Sequence, residues 1–338
     1  MKAIFLTKNG GAETAFTIKE TDKPTIKPDQ VLIKIDAFGL NYADVLARKG
    51  LYGDAPPLPS ILGYECVGTV EEIGSEVTSI EIGKKVLAFT RFGSYAEYVA
   101  SSHLAVVELP NGINNGSAVA LGAQYTTAYY AAYEAINLTE NDIVLVLSGA
   151  GGVGTGLIQL AKAKGCRVIA GIGSENKTDY VKTLGADDVV VYGNNDLNEE
   201  IKKILGTRRV DVIFDPIGGS FFKKGLKALN FGGKIVSFGA ASRSGKGIIP
   251  LLKLLFGYGF FTPVKFLMKS QSLVGVNMLR IADHRIDMLS VCLKNVVSLF
   301  EQEVITPHVG GVYKSNEIAT AHAFLESRKS KGKIVVEW

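Results

Sequence analysis

The apolar and polar residues alternate differently in two parts of the chain. Up to about Gln124, short β-branched runs are separated by turns rich in Gly, Pro, Asp and Ser, a pattern typical of an antiparallel barrel or sandwich. After Tyr125, apolar strand-like runs alternate with helical segments, which predicts a parallel sheet with helical crossovers. The pattern therefore predicts an α/β protein whose first part is rich in strands. Strands of that first part are expected at Val31–Phe38, Glu65–Gly74 and Lys85–Phe89.

The second part of the chain predicts six strands with helices between most of them. The clearest helix is Val153–Lys164, which a glycine ends. In the C-terminal segment, helices are expected near Ile286–Gln302 and Asn316–Ser327, followed by a strand at Ile334–Val336. Because 338 residues exceed the roughly 250–300 at which one core stops growing, two domains are expected. The six predicted strands are Ile143–Leu147, Arg167–Ala170, Val189–Tyr192, Val210–Phe214, Lys234–Phe238 and Ser272–Val276.

Composition and charge exclude several classes of protein. At 47% hydrophobic and 21% charged residues, the chain is too apolar for a disordered protein. A net charge of +4, with no basic run interleaved with aromatics, argues against a nucleic acid as partner. Three cysteines without a paired motif, and an N-terminus without a signal-peptide pattern, predict a reducing, cytoplasmic location.

A glycine-rich loop carries the strongest chemical signal. Gly149, Gly151 and Gly154 have the G-x-G-x-x-G spacing, directly after an apolar strand and at the start of a helix. In a dinucleotide-binding fold these glycines allow a tight turn, a close approach of the backbone to the pyrophosphate, and packing of helix on strand. The free N–H groups of the helix N-terminus then bind the phosphates. The residues expected there are Gly149, Gly151, Gly152, Val153 and Gly154.

The end of the second parallel strand indicates which dinucleotide binds. An NAD site places a carboxylate there to bond the ribose, whereas this chain has Gly173. The glycine is followed by Ser174 and Lys177, and Tyr192 ends the third strand nearby, which suits the 2′-phosphate of NADPH. The alternative, in which Glu175 bonds the ribose of NADH and Lys177 is a solvated lysine, stays open.

Seven motifs along the chain, taken together, resemble a known family. They resemble the zinc-independent quinone oxidoreductases of the medium-chain dehydrogenase/reductase superfamily over essentially the whole length, and within them the vesicle amine transport protein branch. The resemblance implies a Rossmann NADP-binding domain, residues 125–276, inserted in a GroES-like β-barrel catalytic domain, residues 1–124 and 277–338. The motifs are Gly39-Leu-Asn-Tyr-Ala-Asp, Ala47-Arg-Lys-Gly-Leu-Tyr, Leu58-Pro-Ser-Ile-Leu-Gly-Tyr-Glu, Gln124-Tyr-Thr-Thr-Ala-Tyr, Gly149-Ala-Gly-Gly-Val-Gly, Asp215-Pro-Ile-Gly-Gly and Gly232-Gly-Lys-Ile-Val-Ser-Phe-Gly.

Zinc is not expected. Zinc-dependent relatives hold the catalytic metal through a Cys and a His, and the matching positions here are Asn41 and Tyr64. Neither an amide nor a tyrosine suits tetrahedral Zn²⁺, which prefers thiolate, imidazole or carboxylate.

The resemblance also implies the reaction and its residues. The reaction is hydride transfer from NADPH to a quinone or an α,β-unsaturated carbonyl, with Asn41, Asp44 and Tyr52 as catalytic residues in the cleft. Tyr52 aligns with a tyrosine that donates a proton or polarises a carbonyl. Two alternatives stay open: Tyr52 is only an aromatic wall, and Asp44 only orients its neighbours. Further cofactor-binding residues are Thr127, Gly239, Ala240 and Asn277 at the nicotinamide half, and Lys177, Tyr192 and Arg328 at the adenosine phosphate.

An apolar, basic insert near residues 247–268 is a departure from simple quinone reductases. It lies within a stretch, Pro216 to Ala282, that has ten basic side chains and no acidic one. Three interpretations stay open: packed helical turns, a lid over a large quinone, or a surface that makes weak contact with an anionic membrane. The second function hypothesis is accordingly an NADPH-binding, membrane-associated adaptor with little turnover. The resemblance also predicts a homodimer through the strand Ser272–Val276.

Overall fold

The computed structural model describes residues 1–193, 195–242 and 248–338. Gly247, at the start of the predicted insert, and two of the ten cations, Arg243 and Lys246, lie outside the described residues, as do the side chains of Leu251 and Lys253. The chain forms two compact units, residues 1–126 with 278–338, and residues 127–277.

Strands and helices follow one another in this order. The strands are β1 Lys2–Leu6, β2 Phe16–Glu20, β3 Gln30–Leu40, β4 Ser60–Ile61, β5 Glu65–Ile73, β6 Lys85–Phe89, β7 Tyr98–Ser102, β8 Val106–Glu108, β9 Ile143–Val146, β10 Arg167–Ile172, β11 Asp188–Val191, β12 Val210–Asp215, β13 Leu229–Ser237, β14 Ser272–Gly275, β15 Val309–Lys314 and β16 Lys333–Glu337. The α-helices are α1 Ala12–Ala15, α2 Tyr42–Arg48, α3 Asn115–Ala120, α4 Thr126–Tyr129, α5 Gly152–Ala163, α6 Thr178–Thr183, α7 Leu197–Leu205, α8 Ser220–Ala228, α9 Ile248–Tyr258, α10 Pro263–Leu267, α11 Met278–His284, α12 Ile286–Glu301 and α13 Ile318–Glu326.

The first unit is built on two sheets that share an apolar core. One has the order β2-β1-β4, and the other the order β15-β16-β3-β5-β6-β8, with β7 also pairing to β3. Strand β3 is central because it pairs antiparallel with β5, β7 and β16. Its side chains at Val31, Ile33 and Ile35 alternate into the core, where Ile4 and Val336 also lie. This alternation is the pattern that predicted the strand.

The second unit is a doubly wound parallel sheet. Its strand order is β11-β10-β9-β12-β13-β14, and every neighbouring pair is parallel. The direction of winding reverses between β9 and β12, which is the switch point where nucleotides bind in folds of this kind. The sequence prediction of a parallel sheet with crossovers is confirmed.

The two predicted C-terminal helices appear as α12 and α13, and β13 begins five residues earlier than predicted. Leu229 pairs with Val210 ahead of an irregularity in the β12–β13 register, so the strand starts before the turn-like Gly232-Gly233. Within the described part of the chain, no helix has both the length and the hydrophobicity that crossing a bilayer requires.

Candidate active site

The glycine loop of the second unit is a close-packed turn between β9 and α5. Gly149 N–H donates to the Gly171 carbonyl at 2.9 Å, and Gly151 N–H donates to the Ser148 carbonyl at 2.8 Å. A Cβ at Gly154 would collide with the Ser148 carbonyl oxygen and would lie 2.8 Å from Gly149 Cα. These neighbours are backbone atoms, so Gly154 cannot take a side chain without displacing the turn.

The N-terminus of α5 has free backbone donors. The first intrahelical bond runs from Thr155 N–H to the Gly151 carbonyl at 2.8 Å, so Gly152, Val153 and Gly154 have no intrahelical acceptor for their N–H groups. No side chain caps the helix, and no acidic residue lies in its first turn. This end of α5 can therefore bind an anion through N–H groups and the positive end of the helix dipole.

The residues predicted for the adenosine phosphate in the second unit lie after β10 and β11. Gly173 directly follows β10 and is exposed, Lys177 ends a 3₁₀ turn and is half-buried, and Tyr192 directly follows β11. The Tyr192 hydroxyl lies 3.4 Å from Ser148 Oγ, which connects it to the glycine loop. Ser174 Oγ donates to Asn176 Oδ1 at 2.6 Å. An exposed glycine, followed within one short turn by a lysine, leaves room for a phosphate beside the loop.

Two of the residues predicted at the nicotinamide, Gly239 and Ala240, follow β13 at the carboxyl edge of the sheet. A Cβ at Gly239 would lie 2.6 Å from the carbonyl oxygen of Pro216, so only glycine fits there. The hydroxyl of Tyr258, in α9, donates to the Gly239 carbonyl at 3.4 Å. The sequence analysis did not identify Tyr258, because it interpreted the insert near residues 247–268 only as an apolar, cationic segment. Thr127 and Asn277 are the first and last residues of this unit.

A buried polar cluster lies in the first unit, around Asn41. Lys333 and Glu65 are both fully buried, and Lys333 Nζ lies 2.6 Å from Glu65 Oε1. Asn41 Nδ2 donates to Glu65 Oε1 at 2.8 Å, and Lys333 Nζ donates to Asn41 Oδ1 at 3.1 Å. Ala123 N–H donates to the second carboxylate oxygen at 2.6 Å. Gly39 makes room for the pair, because a Cβ there would overlap both side chains.

Asp44 is a buried carboxyl group in the first turn of α2. Its Oδ2 accepts from Asn41 N–H at 2.8 Å, which holds the start of the helix. Burial, with a smaller effect from the nearby Glu65 carboxylate, raises the pKa of Asp44 to about 8, although the Asn41 N–H opposes the rise. At neutral pH Asp44 is therefore mostly protonated. Asp44 is fully buried and its bond to the Asn41 backbone is the contact that an orienting role requires, while its catalytic role stays a prediction.

Tyr52 lies in an irregular segment between α2 and β4. Its ring meets the ring of Tyr64 edge-on with centroids 6.3 Å apart, and Tyr64 in turn packs on Phe92 at 5.1 Å. Burial raises the pKa of both Tyr52 and Tyr64, so both hydroxyls are protonated at neutral pH. Each can donate a hydrogen bond, but neither is an anionic metal ligand.

The structure places the remaining predicted residue, Arg328, in the first unit. Its guanidinium lies 5.8 Å from the ring centre of Tyr42 and within 3.4 Å of the Tyr42 hydroxyl. Asn41, Asp44 and Tyr52 belong to the first unit, as Arg328 does, while the glycine loop, Lys177 and Tyr192 belong to the second.

The sequence analysis did not identify Glu65 and Lys333 as site residues. The only signal was Glu65 in the Gly63-Tyr-Glu segment, next to the position compared with a zinc ligand.

Comparison with known proteins agrees with this architecture. Residues 27–111 match the family model described as the alcohol dehydrogenase GroES-like domain, and residues 152–293 match the one described as zinc-binding dehydrogenase. The predicted GroES-like and Rossmann fold class is confirmed.

Similar proteins cover nearly the whole chain. The synaptic vesicle membrane protein VAT-1 homolog of Danio rerio is 30% identical over 338 residues, covering 99% of this chain and 69% of that protein. Quinone oxidoreductase-like protein 2 of Rattus norvegicus is 29% identical over 95% of this chain and 88% of its own length. The crystal structure of Escherichia coli quinone oxidoreductase complexed with NADPH superposes with a TM-score of 0.87 at 27% identity, covering 100% of both chains. The chain belongs to the medium-chain dehydrogenase/reductase superfamily, among the quinone oxidoreductases and VAT-1 homologues.

Proposed function

We propose that this protein is an NADPH-dependent reductase that transfers hydride to quinones or α,β-unsaturated carbonyls without zinc. The observation that carries the proposal is the uncapped N-terminus of α5 beside Gly173, an anion site without the carboxylate that an NAD ribose prefers. The likeness to the E. coli quinone oxidoreductase, which was crystallised with NADPH, supports it. When bound, NADPH supplies the hydride.

The second unit would bind and orient the cofactor. The N–H groups of Gly152, Val153 and Gly154 would bind the pyrophosphate, since they lack intrahelical acceptors. Lys177 would pair with the 2′-phosphate in a charge-assisted hydrogen bond, which is worth about 1.5–3 kcal/mol. That range corresponds to a preference for NADPH over NADH of roughly tenfold to a hundredfold.

The first unit would stabilise the reduced acceptor. As hydride arrives, negative charge develops on the carbonyl oxygen of a quinone or enone. Tyr52 is protonated at neutral pH and Asn41 carries amide hydrogens, so both can donate to that oxygen. A donor aimed at a developing oxyanion contributes about 2.7–4 kcal/mol.

Zinc does not fit the residues at this position, although the matched family model is described as zinc-binding. Asn41 and Tyr64 are neutral, and the Glu65 carboxylate already accepts from Lys333, Asn41 and Ala123. Across residues 1–193, 195–242 and 248–338, no three His, Cys, Asp or Glu side chains are grouped as a metal site requires. We therefore assign the polarisation of the carbonyl to hydrogen-bond donors.

Steady-state NADPH oxidation with naphthoquinones, phenanthrenequinone and simple enones tests this function. We expect turnover that resists chelators, and a Tyr52→Phe variant with a kcat/KM lowered about tenfold or more. Elemental analysis that finds one zinc per chain would contradict the zinc-free mechanism. No turnover with any acceptor, despite tight binding of NADPH, would contradict the reductase assignment and favour the second candidate below.

A specific surface favours a second candidate, a membrane-associated adaptor that binds NADPH. Helices α9 and α10 and the loop between them pack inward through Tyr258 of α9 and Phe261 of the loop, which both contact Phe222 of α8. Their outer face is apolar and exposed, and the exposed Lys265 places its ammonium 4.5 Å from the ring centre of Phe261. Such a face fits an anionic membrane surface, since each basic residue there contributes about 1 kcal/mol. The exposed apolar residues are Leu252, Leu255, Phe256, Phe260, Val264, Leu267 and Met268.

Co-sedimentation with vesicles separates the two candidates. The adaptor predicts binding to phosphatidylserine-containing vesicles, weaker binding to phosphatidylcholine alone, and loss of binding in a Phe260→Ser/Leu267→Ser variant. If wild-type protein does not sediment with either vesicle, the face is not a membrane contact.

We also propose a homodimer and a reducing, cytoplasmic compartment. Strand β14 is an edge of its sheet, and its Leu273 is 50% exposed, so an unpaired β14 would be an aggregation hazard that a second copy removes. The proposal of a reducing compartment is supported by the three cysteines, which are all buried, free thiols. Light scattering at micromolar concentration tests the dimer, and a monomeric mass would contradict it.

A further inference from the structure

The buried ion pair between Glu65 and Lys333 has no role in the proposed hydride transfer itself. Both side chains are fully removed from solvent. Desolvating two charges offsets much of their attraction unless additional hydrogen bonds satisfy them, so a buried pair by itself adds little to stability. Here Glu65 also accepts from the Ala123 N–H, and the one partner that both charges share is Asn41.

The two charges together fix the orientation of the Asn41 amide. An ammonium can only donate hydrogen bonds and a carboxylate can only accept them. Lys333 Nζ therefore donates to Asn41 Oδ1 at 3.1 Å, and Asn41 Nδ2 donates to Glu65 Oε1 at 2.8 Å. The flipped amide would direct its NH₂ group at the ammonium and its oxygen at the carboxylate, and both contacts would be repulsive.

This orientation leaves one hydrogen of the Asn41 amide available to a ligand. Its Oδ1 accepts from Lys333, and one Nδ2 hydrogen goes to Glu65. The second Nδ2 hydrogen has no acceptor among the residues that the structure describes, and the side chain is only half-buried. The amide can therefore donate this second Nδ2 hydrogen to a ligand, whereas its Oδ1 is held by the Lys333 ammonium.

We propose that Glu65 and Lys333 are positioning residues that hold the Asn41 amide in the orientation in which Nδ2 donates a hydrogen bond to the carbonyl oxygen of the substrate. This inference rests on the proposed reductase function. Asn41 then favours substrates whose reducible group is a carbonyl, because the carbonyl oxygen can accept its hydrogen bond. The buried pair also explains why Gly39 must lack a side chain, because a Cβ there would separate Lys333 from Glu65.

A double-mutant cycle on acceptor turnover tests the positioning. Removing either charge alone leaves the other buried without its partner, so both are neutralised together in Lys333→Met/Glu65→Gln. The amide introduced at position 65 can donate or accept, and no longer imposes one orientation on Asn41. With NADPH and phenanthrenequinone, we expect this variant and Asn41→Ala each to lower kcat/KM by tenfold to a hundredfold. The triple variant should be no worse than Asn41→Ala, and the Kd for NADPH should stay unchanged throughout.

Two controls separate positioning from general damage. Lys314→Met removes a lysine from an exposed pair with Glu337 on the neighbouring strand and should change neither constant. Lys333→Arg keeps a donor cation and should recover part of the lost kcat/KM. If the losses from Asn41→Ala and from the neutralised pair multiply, or if the neutralised pair turns over at the wild-type rate, the positioning role is overturned.

A readout that needs no turnover keeps the inference distinct from the reductase assignment. In the ¹⁵N-asparagine spectrum, the side-chain signal that disappears in Asn41→Ala should show slow hydrogen exchange and a high ¹⁵N order parameter in wild-type protein, and neither in Lys333→Met/Glu65→Gln. A low order parameter for this group in wild-type protein overturns the positioning, even in an active enzyme. An ordered amide in a protein that reduces no acceptor supports the positioning and contradicts the proposed function instead.

Discussion

The hydroxyl of Tyr95 lies 3.2 Å from Nε2 of His322, and neither side chain has any surface in contact with solvent. Burial, together with the smaller effect of the nearby Arg48 charge, lowers the pKa of His322 to about 3. In the unfolded chain this histidine titrates near 6.5. The unfolded chain therefore binds a proton between pH 6.5 and 3 that the folded protein does not bind, and the folded state loses stability as the pH falls through that window.

The first prediction concerns acid stability. Linkage gives a loss of about 1.4 kcal/mol per pH unit from this one group between pH 6.5 and 3. A His322→Gln variant should remove that contribution, which urea unfolding at a series of pH values will measure. The exposed His284→Gln is the matched control and should leave the curve unchanged. An unchanged slope in His322→Gln would contradict a neutral, buried imidazole.

Asp44 has the opposite dependence. Its pKa of about 8 means that the folded protein keeps a proton which the unfolded chain loses near pH 4. Stability from this group is therefore present at low pH and is lost, by about 1.4 kcal/mol per unit, as the pH rises from about 4 to 8. Between pH 4 and 6.5 the slopes from Asp44 and His322 cancel.

The second prediction follows from that cancellation. Asp44→Asn cannot ionise, so its free energy of unfolding should rise relative to that of wild-type protein by about 1.4 kcal/mol per pH unit between pH 4 and 8. Below pH 6.5 this difference uncovers the slope from His322 that Asp44 cancels in wild-type protein. The same urea series measures both curves. Parallel curves for the two proteins above pH 6.5 would show that Asp44 is already ionised at neutral pH.

The sequence predicted the features that depend on neighbouring residues. The glycine loop could be predicted because Gly149, Gly151 and Gly154 follow an apolar strand within a few residues, and the same holds for the alternating strand at Val31–Phe38. Local spacing determines such turns and strands, so a sequence shows them directly.

The sequence could not predict what long-range packing creates. Lys333 is 268 residues from Glu65, and a lysine near the end of a chain is normally exposed. Only the pairing of β16 with β3 brings the lysine beside Asn41. The raised pKa of Asp44 has the same origin, because it comes first from burial and not from any residue near it in sequence. Two π-helical segments, Leu121–Tyr125 and Tyr130–Glu134, were also not predicted.

The third prediction concerns the choice of cofactor. Lys177→Ala should weaken binding of NADPH about tenfold or more and leave NADH nearly unchanged, since about 1.4 kcal/mol corresponds to a factor of ten and only NADPH carries the 2′-phosphate. Fluorescence titration measures both constants. Lys203→Ala, which removes an exposed lysine paired with Glu200, is the control. Equal losses for both cofactors would place Lys177 at a group that the two share.

The fourth prediction tests the loop geometry. In Gly154→Ala the new methyl group meets the backbone of Ser148 and Gly149, so the turn must move. We expect NADPH binding to fall by at least a hundredfold while the circular dichroism spectrum stays native. Gly11→Ala is the control, because a Cβ there meets no atom within 4 Å. Normal NADPH binding by Gly154→Ala would show that the phosphates do not contact this turn.

The last prediction concerns the segment that holds Tyr52. Between α2 and β4 this segment has no helix or strand, and two residues after Tyr52 the carboxylate of Asp54 forms an ion pair with Arg280 of α11. Asp283, also in α11, bonds Arg91 at 2.6 Å and lies 3.6 Å from Arg280, so α11 is itself held in a network of charges.

These charges are partly exposed, so the tether is weak and sensitive to salt. The Arg280 side chain is 52% exposed, and pairs of this kind contribute about 0.2–1 kcal/mol. Asp54→Asn should therefore lower kcat/KM for quinones by no more than about fivefold at low ionic strength. The difference from wild type should disappear near 1 M salt, where the Debye length is about 3 Å.

Arg280→Gln should have the same effect, and the double variant should be no worse than either, which steady-state assays of all four proteins will decide. Glu108→Gln breaks an exposed pair with Lys84 in the same unit and should have no effect. If Asp54→Asn and Arg280→Gln act independently, or if salt leaves their effects unchanged, then this ion pair does not position Tyr52.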